Sequence, residues 1–167
     1  MNDHQLIARH LAYSQETGVF TWRTSTRGHR AGAIAGSVHA GHGYVSISVG
    51  GRRFFAHRLA WLVTNGQWPP LGIDHINGNR SDNRISNLRL ATRSENQQNL
   101  RGPMRNNAAG VLGVCLVKSG KFQAQITVDG RQQYLGLHPT PEAASGVYLA
   151  AKAQQHPYQT IVARGPQ

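Results

Sequence analysis

The stretch GIDHINGNRSDNRISNLRLATRSENQQN, residues 72–99, decides how this chain folds. It opens with a short apolar strand ending at Asp74. A long polar loop, HINGNRSDNRIS, follows, with turn signals from Asn77-Gly78 onward. NLRLAT is a second strand, with Leu88 and Leu90 opposed to Arg89. TRSENQQNL then opens a helix, with Thr92 and Glu95 in capping-box spacing. The chain has only seven acidic residues, and one of them, Asp74, stands directly before His75. Adjacent strand residues point to opposite faces, so these two can serve one site only where the strand ends. Taken alone, the dipeptide could be a metal ligand beside a base, a buried structural pair, or coincidence.

Upstream the chain is rich in strands. LIARHLAY (6–13) places Leu6, Ile7, His10 and Leu11 on one helical stripe. TGVFTWR (17–23) reads as a strand after a glycine turn. In GYVSISVGGRRFFAHR, Val45, Ile47 and Val49 alternate with Ser46 and Ser48, and Gly50-Gly51 turns the chain into a second strand. HRLAWLVTNG (57–66) fits a short helix with Leu59, Leu62 and Val63 inward and Asn65-Gly66 as its stop.

Downstream, RGPMRNNAAG (101–110) has the composition of a linker. VLGVCLV, KFQAQITV and RQQYLGL read as three strands. Along the second, Phe122, Ala124, Ile126 and Val128 share one face, while Gln123, Gln125 and Thr127 share the other. TPEAASGVYLAAKAQQH is a helix with Thr140 as N-cap and Pro141 at its first position. Its Ala144, Val147, Tyr148 and Ala151 are expected to cover the apolar face of the sheet. The expected fold class is α+β. Its parts are an N-terminal β-rich region (1–56), a strand–loop–strand–helix core (57–101), a linker (102–109), a three-stranded antiparallel sheet on one helix (110–156), and a tail (157–167).

Eighteen Lys and Arg against seven Asp and Glu give a formal charge of +11. That is the footprint of a polyanion partner. All but Lys118, Lys121 and Lys152 of these cations are Arg, whose planar fork matches phosphate and guanine edges. The single cysteine, Cys115, excludes an internal disulfide and a multi-cysteine zinc knuckle, and a reducing, cytoplasmic compartment fits. No apolar run approaches the roughly 20 residues needed to span a bilayer, so no membrane partner is expected. No obligate protein partner is evident.

Phosphodiester hydrolysis needs a deprotonated water, neutralised phosphoryl charge and a stabilised leaving oxygen. One hard cation on oxygen ligands can supply the last two. Residues 72–100 offer Asp74, Asp82, Glu95 and several Asn as such ligands. His75 can take the proton, since an unperturbed imidazole has a pKa near ~6.5.

At this point the residues carry a resemblance. HRLAW…GQWPPLGIDHINGNRSDNRISNLRLATRSENQQN, residues 57–99, resembles the HNH endonucleases, in their phage and intron-encoded homing branch. The match runs through DHING, DNR..NLR and T..EN..N. It implies a ββα-metal nuclease with His75 as general base and Asp74 as metal ligand. It implies Asn87 bonding backbone across the loop to hold His75, and Asn96 as second metal ligand. An amide oxygen suits Mg²⁺ or Mn²⁺ and is a poor zinc ligand. One such divalent cation is expected, and no structural zinc. The implied reaction leaves 5′-phosphate and 3′-hydroxyl ends on double-stranded DNA, with one nick per active site, inside a bacterial host cell.

GVCLVKSGKFQAQITVDGRQQYLGLHPTPEAASGVYLAAK resembles the DNA-binding domain of plant ethylene-response factors. That likeness implies an exposed sheet face in the major groove, carrying Gln125, Thr127, Gln132 and Tyr134, with Lys118, Lys121 and Arg131 on phosphates. The first strand departs from the plant pattern, with Cys115 and Val117 where those domains place arginines. Arg52, Arg53, Arg89 and Arg93 complete the expected DNA contacts. Two rival readings are a DNA-binding regulator with an inactive nuclease module and a zinc hydrolase of a smaller substrate.

Overall fold

The structure is a computed structural model that describes residues 2–100, 102–103 and 106–156. The tail expected at 157–167 lies outside the described residues. The chain divides into two compact units, Met1–Thr92 and Arg93–Gln167. That division falls inside the span expected for the strand–loop–strand–helix core. As expected from the sequence, the architecture is α+β, built from small antiparallel sheets and short helices.

The first unit begins with α1 (Asp3–His10), closed at its start by a capping box between Asn2 and Gln5. The helix stops one residue short of its apolar stripe. Leu11 is extended and opens β1 (Leu11–Tyr13), which pairs with β2 (Phe20–Trp22). The stripe residues Ile7 and Leu11 are both buried, so the pattern marked the core face correctly. What ended the helix is the pairing of Leu11 with Trp22, which no periodicity within 6–13 could announce. β3 (Ser37–Val38), β4 (Val45–Val49) and β5 (Arg52–Phe55) form an antiparallel sheet in that order. Gly50 and Gly51 both have positive φ, the requirement of the tightest hairpin turn.

α2 (Ala56–Asn65) follows, and Gly66 stops it in the left-handed region. β6 (Gly72–His75) and β7 (Leu88–Ala91) form the two-stranded sheet of the motif. One hydrophobic core runs through the whole unit. Ile7, Leu11, Phe20, Ile47 and Val49 of the N-terminal region pack in the same cluster as Leu59, Leu62, Ile73 and Leu88. The short β6–β7 hairpin could not bury enough surface alone, and it borrows its core from the preceding sheets.

The second unit holds α3 (Arg93–Gln98), β8 (Val114–Leu116), β9 (Phe122–Val128), β10 (Arg131–His138) and α4 (Pro141–Gln155). The sheet order is β10-β9-β8, antiparallel throughout. Ala124 and Ile126 face inward onto Ala144, Tyr148 and Ala151 of α4. Val147, expected on the same stripe, is 39% exposed. Thr140 caps α4 by accepting from the Ala143 amide, and Pro141 follows. Near the other end of α4, Lys152 is only 1% exposed, and its ammonium donates to the carbonyl of Leu100, just beyond α3.

Candidate active site

The β6–β7 register puts Asp74 opposite Arg89 and His75 opposite Leu88. Asp74 and Arg89 therefore share one face of the hairpin, and His75 leaves from the other. His75 is the last residue of β6, where the Ile76 amide bonds Asn87 O and the chain turns away. Both members of the dipeptide are buried.

Arg89 donates from Nε and Nη2 to Asp74 Oδ2, at 2.9 and 2.7 Å. The carboxylate is 5% exposed and the guanidinium side chain 24%. Arg89, expected on phosphate, pairs with Asp74 across the ladder, because directly opposed strand residues are close enough for a two-bond pair.

The loop between the strands is braced by its own amides. Asn87 Oδ1 accepts from the Asn77 amide at 2.9 Å, and Asn87 Nδ2 donates to Asp82 O at 2.8 Å. This is the cross-loop bonding expected of Asn87. Asp82 accepts from Asn77 Nδ2 and from Arg84 Nε and Nη2. Arg84's bonds hold its carboxyl down to about 2, with Asn77 assisting. Asp82 thus serves the loop as a brace.

One residue that touches the His75 ring, Asn83, was missed by sequence reading. His75 Nε2 lies 3.3 Å from Asn83 Oδ1. Asn83 Nδ2 donates to Ser81 O, so Oδ1 is the acceptor facing the imidazole. That places the ring proton on Nε2 and the lone pair on Nδ1. Burial lowers the His75 pKa, against the opposing pull of Asn83, Asp74 and Asp82 and with the help of Arg80. Burial thus favours the neutral ring, the state that can accept a proton.

Asn83 is itself held from the N-terminal region. Tyr13 Oη donates to Asn83 O at 2.7 Å. Gly18, with φ +72, lies so close that a Cβ there would come within 2.6 Å of Asn83 C and also meet the Arg84 amide. Gly18→Ala is expected to destabilise the protein by about 2 kcal/mol, from clash and left-handed strain together. A urea midpoint equal to that of the unmodified protein would show that the loop yields there.

His57, on α2, is 7% exposed, edge-on to His75 with centroids 5.2 Å apart. It also stacks on Phe55 and touches Tyr44. Its Nδ1 is buried with no hydrogen-bond partner among the described residues. Burial, then repulsion from His75 and Arg58, pulls its pKa down to about 3. Between that value and the ~6.5 of an unfolded histidine, the unfolded chain binds the extra proton, so stability rises with pH across the window. Acidification from pH 7 should remove roughly 3 kcal/mol by about pH 4 through this residue alone. His57→Phe is expected to flatten that limb in urea titrations; an unchanged slope would mean that His57 already carries its proton in the fold.

Asn96 and Arg93, read as second metal ligand and phosphate contact, stand on α3 in the second unit, Asn96 half-buried and Arg93 exposed. Arg52 pairs with Asp3 through both Nη atoms and lies over the Phe54 ring, so its charge is shared with α1. Arg53 is exposed on β5. In the second unit, Gln125 pairs with Tyr134 and Thr127 with Gln132, which puts all four on one sheet face, as expected. Tyr134 is 62% exposed there. Lys118, Lys121 and Arg131 lie exposed around the strand ends. Cys115 shares the same open face, opposite Gln123.

The sequence pattern of the HNH endonucleases matches residues 54–98. Over 94 residues the chain is 31% identical to Protein 3.8 of Escherichia phage T7, spanning 55% of this chain and 77% of that protein. It is 30% identical over 94 residues to the uncharacterized HNH endonuclease L560 of Acanthamoeba polyphaga mimivirus, spanning 55% of this chain and 48% of that relative. Among solved structures it is similar to the HNH homing endonuclease I-HmuI, described for its DNA binding and cleavage. That match has a TM-score of 0.42 and 25% identity, over 81% of this chain and 75% of that one.

Proposed function

We propose that this chain, whose residues 54–98 match the HNH endonuclease family, nicks double-stranded DNA with a divalent cation, leaving 5′-phosphate and 3′-hydroxyl ends. The observation that carries the reading is the buried His75 imidazole at the end of β6, its Nε2 3.3 Å from Asn83 Oδ1 and its pKa lowered by burial, next in sequence to the buried Asp74.

Asp74 fits a cation, since its buried carboxylate already draws one positive partner. Among the described residues no three His, Cys, Asp or Glu side chains gather as a metal cage. A cation on Asp74 would take its remaining ligands from amide, phosphate and water oxygens, which suits Mg²⁺ or Mn²⁺. Asn96 is assigned as the amide ligand by its place in the motif. A cation held there would supply charge neutralisation at the phosphate and at the departing oxygen. His75 Nδ1 takes one proton from the attacking water. The water oxygen bonds to phosphorus, the P–O3′ bond breaks, and the 3′ oxygen leaves and gains a proton from solvent.

The exposed face bearing Gln125, Thr127, Gln132 and Tyr134, with Lys118, Lys121 and Arg131 near it, would hold the duplex, as the likeness to ethylene-response-factor domains suggests. Arg53 and Arg93 would add phosphate contacts. One site per chain favours single-strand cleavage, in the cytoplasm, of the kind used by mobile elements. The test is conversion of supercoiled plasmid to open circle with Mg²⁺, its loss with chelator, and mapping of the new ends. Tight, chelator-insensitive DNA binding without cleavage of any duplex would replace this reading with that of a DNA-binding regulator.

A further inference from the structure

Three of the loop and hairpin arginines have a carboxylate partner: Arg52 on Asp3, Arg84 on Asp82 and Arg89 on Asp74. Arg80 has none among the described residues, yet it is held in place. Its Nη1 donates to His42 O at 3.0 Å, and its guanidinium carbon lies 5.0 Å from the centre of the Tyr44 ring. The Tyr44 ring in turn lies 5.8 Å from the His75 ring and 5.0 Å from the His57 ring. Gly43 lies beside the arginine stem, where a Cβ would be in ordinary contact, 3.8 Å from Arg80 Cβ. Arg80 is exposed.

A planar fork with one N–H on a main-chain carbonyl and its face on an aromatic ring has lost much of its rotamer freedom in advance. Its other donors have no protein acceptor among the described residues. Such a group fits a phosphodiester, whose non-bridging oxygens accept two parallel N–H bonds. We propose that Arg80 is a catalytic residue that grips the phosphate attacked at His75, and that Tyr44 is the positioning residue that holds its guanidinium there. The proposal rests on the nuclease reading and adds a binding group for the reacting phosphate to it. Arg80 would bear on the equatorial oxygens, where negative charge accumulates as the P–O3′ bond opens.

The experiment is single-turnover plasmid nicking at saturating protein with Mg²⁺, alongside duplex affinity measured in chelator by fluorescence anisotropy. Arg80→Gln is expected to slow nicking about 100-fold, while affinity falls by less than about threefold, as for one phosphate contact among many. Arg80→Lys should restore only a small part of the rate, since an ammonium cannot make the planar two-bond contact. Tyr44→Leu should lose rate as Arg80→Gln does, and Tyr44→Phe, which keeps the ring, should recover most of that loss. Wild-type nicking by Arg80→Gln at saturation, or full rescue by Arg80→Lys, would overturn the assignment. A wild-type protein that nicks nothing would instead remove the reading beneath it. Wild-type and Arg80→Gln proteins that nick alike, with His75→Ala inactive, would remove Arg80's role alone.

Discussion

Replacing His75 with alanine is expected to lower the single-turnover nicking rate by about 1000-fold, within the range for loss of a general base. Duplex affinity should move by less than about twofold, because a buried neutral ring supplies no phosphate contact. The direction of the His75 pKa sharpens the expectation. A base lowered below the ordinary histidine value is unprotonated throughout the neutral range, so the rate should hold level from pH 7 to 8 and fall only on acidification. Plasmid nicking across pH 5–8 measures both. A His75→Ala protein that cuts at the wild-type rate would remove the assigned base and leave the water to be activated elsewhere.

The second large effect concerns stability. Arg89→Met should cost about 3 kcal/mol, because it removes two charge-assisted bonds from a carboxylate that is only 5% exposed. The variant also gives an independent reading of the cation at Asp74. Adding Mg²⁺ at about 10 mM should recover more of the melting temperature in Arg89→Met than it adds to the wild type, since a bound cation replaces the lost positive charge. Thermal scans with and without Mg²⁺ decide it. Equal Mg²⁺ shifts in both proteins would place the cation away from Asp74.

Much of the frame was legible because local signals and tertiary contacts agreed. Gly50-Gly51 between alternating strands, the Thr140-Pro141 helix start, and the two faces of Phe122–Val128 each stood where short-range chemistry put them. The motif strands β6 and β7 were equally plain. Less visible was everything that depends on register or on distant chain. Leu11 left its helix because Trp22 lies opposite it. Arg89 turned to Asp74 because the ladder opposes them; counting the strand pairs from Gly72–Ala91 would have exposed that pairing. Asn83 gave no signal of its own among many loop amides, and its contact with His75 depends on Tyr13 and Gly18, some seventy residues earlier. His57 sits at a helix start, where a histidine is usually wet, and only the packing of Phe55, Tyr44 and His75 makes it dry. Alternation put Gln125 and Thr127 on one face of β9, the resemblance to ethylene-response-factor domains added Gln132 and Tyr134, and the β9–β10 register sets all four on the same face.

The bond from Lys152 to the Leu100 carbonyl sets where this chain can be cut and grafted. An excised cassette that began at Gly102-Pro103, the natural-looking seam in the text of the sequence, would leave that carbonyl behind and strip an acceptor from an ammonium sealed off from water. One that began at Arg93 would bring α3 along and keep the bond. Chimaeras exchanging their downstream halves should therefore be spliced ahead of α3, so that this short helix travels with the sheet that follows it.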